Sequence, residues 1–113
     1  MTAITTHVLD VSAGMPARGV RVTLARLDDD TWTDLGHGHT DLDGRANALL
    51  PEGVSLTTGV YRLRFAVGAY FSARGVEAFY PEADVTFTVR DANEHYHVPL
   101  LVSAFGYSTY RGS

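Results

Sequence analysis

The chain has 113 residues, a formal net charge of -4, a pI near 5.6 and 45% hydrophobic residues. This is the size of a single globular domain, here residues 1–113, able to bury roughly two-thirds of its unfolded surface. There is no cysteine and no lysine, all nine cationic side chains being arginine, which excludes thiolate nucleophiles, thiolate metal sites, disulfides and Schiff-base chemistry. The acidic balance argues against a nucleic-acid partner. No stretch approaches the ~18 apolar residues of a membrane span, and the N-terminus lacks a basic, then apolar, leader, so no membrane partner and a cytoplasmic location are expected.

Ile4 to Val11 carries β-branched residues in alternation and predicts a first strand. The segment from Ser12 to Ala17 reads as a turn. Gly19 to Leu27 sets Val20, Val22 and Leu24 against Arg21 and Thr23, the period of a half-buried strand. Asp28 to Asp30 reads as a hairpin loop before a third strand over Thr31 to Thr40. Asp41-Leu-Asp-Gly44 is a turn ending on the residue best able to adopt positive φ, and a fourth strand is predicted over Arg45 to Leu50. Gly59 to Val67 alternates Tyr61, Leu63 and Phe65 with Arg62 and Arg64. Phe71 to Phe79 has room for a helix of two turns at most, because Gly75 lies inside it. Val85 to Val89, Tyr96 to Ser103 and Tyr107 to Arg111 complete about eight short strands. The pattern predicts an all-β, antiparallel β-sandwich.

Two segments place ionisable residues where strands accept apolar ones: Thr6-His-Val-Leu-Asp10 and Glu94-His-Tyr-His-Val-Pro-Leu-Leu101. With Val8, Val98, Leu100 and Val102 inward, His7, Leu9, His97, Pro99 and Leu101 share the opposite side. That mixture of histidine and apolar residues suits a surface buried against another subunit or lining a cleft, although a lone strand histidine is commonly a surface or satisfied core residue. His37 with His39, and His95 with His97, are spaced as metal pairs on a strand, but no third ligand is identifiable and no metal is expected.

The run from His95 to Ser113, ending Tyr110-Arg-Gly-Ser113, resembles that of the 5-hydroxyisourate hydrolases, the transthyretin-like proteins. Thr6-His-Val-Leu-Asp10 and Thr40-Asp-Leu-Asp-Gly-Arg45 resemble the same family in the same order, so the likeness spans essentially the entire chain. The hormone carrier transthyretin lacks the terminal Tyr-Arg-Gly-Ser and has lysine where His7 stands, so the likeness favours the enzyme. It implies two four-stranded sheets with one short helix, assembled as a homotetramer, a dimer of dimers with the active sites in a central channel. It implies a cofactor-free, metal-free hydrolase that opens the ring of 5-hydroxyisourate to 2-oxo-4-hydroxy-4-carboxy-5-ureidoimidazoline in urate degradation. Carried over position by position, the catalytic residues are His7, Arg45, His97 and Ser113, and His7, Arg45 and Tyr110 bind substrate. His7 or His97 would activate water, with Arg45 keeping a histidine neutral and holding developing negative charge. Alternation also puts Ser108 and Tyr110 on one face. Asp41 and Asp43 are read as turn residues only.

Overall fold

A computed structural model describes residues 3–113. Among the described residues the elements are β1 (Ile4–Asp10), β2 (Met15–Pro16), β3 (Arg21–Asp28), β4 (Thr31–His39), β5 (Arg45–Ala46), β6 (Gly59–Phe65), α1 (Val67–Ala73), β7 (Ala83–Val89), β8 (Tyr96–Ser103) and β9 (Gly106–Thr109). They form two sheets. One runs β4-β3-β6-β7; the other runs β2-β1-β8-β9, with the two-residue β5 also paired to β1.

The inward residues of both sheets build the core, as period-2 patterning requires. Ile4 and Val8 of β1, Val22 and Leu24 of β3, Tyr61, Leu63 and Phe65 of β6, and Val98, Leu100 and Val102 of β8 are all buried. Val67, Tyr70 and Phe71, spaced i, i+3, i+4, anchor α1 on it. The buried Asp10 enters this core as an acceptor: the hydroxyls of Tyr70 and Ser12 each donate to its carboxylate at 2.8 Å, and the Ala13 N–H at 3.1 Å. Burial alone would raise the Asp10 pKa, but these bonds and the nearby Arg74 cation hold it below the usual value.

Four expectations are corrected. The helix covers Val67–Ala73, not Phe71 to Phe79. Gly75 does not sit inside it but ends it: with φ of 73°, it donates to the Ser72 carbonyl while the Val76 N–H reaches back to Phe71, a Schellman closure. The fourth strand stops at Ala46, because β5 bonds β1 only opposite Thr6 and His7 and the chain then turns inward to bury Leu49. The sandwich is not wholly antiparallel either: β1 and β8 run parallel, from Ile4 opposite Tyr96 to Asp10 opposite Val102. The presumed turn after β1 also contains β2, which pairs with Leu9 and Asp10.

Candidate active site

The parallel β1–β8 pair decides which functional side chains meet. His7 lies opposite Arg45 on one side and Pro99 on the other, making one row across the outer face. The next row sets Thr5 opposite His97 and His97 opposite Gly112 in the chain's last turn. Strand spacing and rise put the α-carbons of His7 and His97 about 8 Å apart. Leu9, Pro99 and Leu101 lie on this same outer face, as alternation required, and Pro99 is already buried in the single chain.

His97 is held on two edges. The Thr5 hydroxyl lies 2.8 Å from its Nδ1 and 3.1 Å from Nε2 of His95, whose ring stacks near-parallel on that of His97 at 6.5 Å. Against the Cδ2 edge lies Gly112, where an added Cβ would come within 2.5 Å of the ring. Only a glycine can lie so close, and the Gly112 N–H to His97 carbonyl bond, 2.8 Å, fixes it there. Partial burial pushes the His97 pKa below its usual value, and the Arg45 cation, His95 and His7 push it the same way. The imidazole is therefore neutral at pH 7.

His7 is held from the turn before β5. Its Nε2 lies 2.8 Å from the Asp43 carbonyl; a carbonyl only accepts, so Nε2 carries the proton and, in the neutral ring, Nδ1 is the acceptor. The turn itself is organised by Asp41, whose carboxylate accepts from the backbone N–H groups of Asp43 and Arg45 at 2.9 and 3.0 Å. Those bonds, that of Arg45 first, lower the Asp41 pKa. Gly44 at φ 77° packs where a Cβ would strike the Val8 carbonyl. Asp41 and Asp43 thus do more than close a turn: the Asp41 carboxylate fixes the Arg45 backbone and the Asp43 carbonyl holds the His7 ring, contacts their sequence spacing as an Asx turn hinted at without revealing the partner.

At the chain's end, Thr109 faces Leu100 and Gly112 faces His97, a continuous register that brings Tyr110 opposite Pro99 in the row of His7 and Arg45. Tyr110 is exposed and also borders a hollow of about 420 Å³ at the open edge of the sandwich, beside Phe87, Tyr96 and Arg111. Ser108 pairs with the outward Leu101. Ser113 follows Gly112 and is exposed. Arg111, which sequence reasoning did not single out, pins this tail: its guanidinium lies 4.6 Å from the Tyr96 ring centre and 3.8 Å from a Glu94 carboxylate oxygen. His37 and His39 lie exposed on β4, in the other sheet, and among the described residues no group of three or more His, Asp or Glu is arranged to hold a metal.

A family model described as the HIUase/Transthyretin family matches residues 4–112. The chain belongs to that family. It is 50% identical to the 5-hydroxyisourate hydrolase of Salmonella dublin over 110 residues, 97% of this chain and 80% of that protein. The solved 5-hydroxyisourate hydrolase of Klebsiella pneumoniae superposes over 100% of both chains with a TM-score of 0.86 at 35% identity. Transthyretin from Sparus aurata superposes with a TM-score of 0.90 at 30% identity, over 99% of this chain and 97% of that one. Backbone similarity therefore does not separate enzyme from carrier within the family; the side chains on the outer face must.

Proposed function

We propose that this chain, as one domain over residues 1–113, is a hydrolase that opens the six-membered ring of 5-hydroxyisourate at its amide bond. The observation that carries the reading is the pair of adjacent rows, Arg45–His7–Pro99 and Thr5–His97–Gly112, on the outer face beside Leu9 and Leu101. Neutral His97 takes a proton from water as the water oxygen adds to the amide carbonyl carbon. The Arg45 guanidinium binds the resulting oxyanion. The carbon–nitrogen bond then breaks, the imidazolium returns its proton to the leaving nitrogen, and a carboxylate and a ureido group result. His7, its Nε2–H tied to Asp43, offers Nδ1 to the substrate or the water. Tyr110 forms the wall beyond Pro99, and the Ser113 hydroxyl binds the water or an imidazole.

The half-covered Leu9 and Leu101, flanking the buried Pro99, support a further subunit across this face, so the active species is a homotetramer, a dimer of dimers with the sites in the channel between subunits. Among the described residues no helix is long and apolar enough to cross a membrane, in keeping with a proposed cytoplasmic place of action. The transthyretin likeness favours one second reading, a carrier that binds a small molecule in the same channel without turnover.

One experiment separates them. 5-Hydroxyisourate made in place from urate by urate oxidase is followed by its ultraviolet absorbance with wild type, His7→Ala and His97→Ala. Fast decay that both substitutions abolish supports the hydrolase; no acceleration by folded wild type overturns it in favour of the carrier. Sedimentation across a range of protein concentrations is expected to show a dissociable tetramer, and a monomer at tens of micromolar would remove the channel from the account.

A further inference from the structure

The Thr5 hydroxyl is placed between two imidazole nitrogens, Nδ1 of His97 at 2.8 Å and Nε2 of His95 at 3.1 Å, and Thr5 is itself 6% exposed. A hydroxyl has one proton to give and lone pairs to accept with. With its one proton it can donate to only one ring, and by accepting from the other it ties the tautomers of the two histidines together. If the hydroxyl donates to His95, His97 carries its proton on Nδ1 and its Nε2 is bare. If it donates to His97, the proton on that ring sits on Nε2 and the ring has no basic nitrogen to offer. Thr5 occupies the Nδ1 edge and Gly112 the Cδ2 edge, so the Nε2 tip is the end of the ring left to the outer face. Among the described residues nothing hydrogen-bonds that Nε2.

We propose that Thr5 is a positioning residue for the hydrolysis: its hydroxyl, ordered by donating to His95, accepts the Nδ1 proton of His97 and keeps Nε2 bare toward the substrate. The inference rests on the reading of His97 as the base. A histidine base needs a fixed tautomer as much as it needs a fixed position. When His97 takes the proton from water, its Nδ1–H remains bonded to Thr5, so the imidazolium forms without a change of partner. His95 acts at one remove, by giving the hydroxyl proton somewhere to point.

The test uses the full chain labelled with ¹⁵N in its histidine rings, together with Thr5→Val, which keeps the branched shape and loses the hydroxyl, and Thr5→Ser, which restores it. In wild type the His97 Nδ1 signal should be of the protonated type and the Nε2 signal of the bare type. Thr5→Val should mix or reverse that pattern and lower kcat by about 10- to 100-fold with KM nearly unchanged, and Thr5→Ser should recover most of both. A wild-type His97 protonated on Nε2 overturns the proposal without any variant, as does full kcat in folded Thr5→Val. His97→Ala run alongside separates the two levels: if it keeps turnover, the reading of His97 as base has failed, whereas if it loses turnover and Thr5→Val does not, only the role of Thr5 has failed.

Discussion

The two faces of β1 use polar residues in opposite ways. On the inner face Thr6 and Asp10 are buried among Ile4 and Val8, and each is satisfied: Thr6 donates to the Val98 carbonyl and Asp10 accepts three bonds. On the outer face the Thr5 hydroxyl is closed between His97 and His95, while the rings of His7 and His97 each hydrogen-bond through one nitrogen, Nε2 and Nδ1, leaving Nδ1 of His7 and Nε2 of His97 without a partner among the described residues. A buried polar group without partners costs about 1–3 kcal/mol, so the inner set has to be closed for the sandwich to fold. The two ring nitrogens on the outer face can remain open because His7 and His97 are only half-buried. One strand thus separates a polar network that stabilises from one able to react.

Breaking the outer set should have the largest effect and should fall on activity. His97→Ala is expected to lower kcat/KM by about 10²- to 10⁴-fold with the melting temperature nearly unchanged, as assayed by substrate decay beside calorimetry. Gly112→Ala should come next: its methyl group must displace the His97 ring or peel away the tail, with about a 10²-fold loss of kcat and little loss of stability. Breaking the inner set should do the reverse. Tyr70→Phe removes a bond to buried Asp10 and should cost about 1–3 kcal/mol in denaturant unfolding while leaving kcat intact. The raised Tyr70 pKa, pushed up to about 12 by burial and by Asp10, means the phenol remains a donor throughout the neutral range.

Titration sharpens the same contrast. Folding lowers the His97 pKa, so the neutral base should persist as pH falls past the ordinary histidine value, and the acid limb of kcat/KM should lie below about 6.5. The stability this group contributes is present above its unfolded pKa and fades as pH falls through the folded one. Arg45→Gln removes one of the causes but not the burial, so the His97 midpoint followed by NMR should move upward without reaching the free value. The smallest effect belongs to the exposed ion pair between Arg64 and Asp84, 2.8 Å apart on the far sheet. There Asp84→Asn should change stability by about 0–1 kcal/mol and activity not at all.

Most of this architecture was legible because strand patterning is local. Alternation sorted Val8, Val98, Leu100 and Val102 from His7, Leu9, His97, Pro99 and Leu101, and the structure keeps that division. Gly44 announced its turn because positive φ is a property of one residue. The helix was displaced because Gly75 reads equally as an interruption or as a C-terminal cap, and only burial of Val67, Tyr70 and Phe71 decides between them. The early end of β5 was hidden for a related reason: Arg45 to Leu50 alternates well enough for a strand, but the edge of β1 is shared between β2 and β5.

Sequence by itself determined the strand periods, the inward set that drives the collapse, and the residue types left for chemistry once cysteine and lysine were absent. Tertiary structure alone decided how those residues meet. The parallel pairing of β1 with β8 sets His7 diagonal to His97, the Asp41 turn returns Arg45 and the Asp43 carbonyl to His7, and the tail folds back so that Gly112 lies on His97. Each of these contacts joins residues at least 15 apart in sequence, and register between such distant segments depends on the whole packed sheet rather than on any local run of sequence.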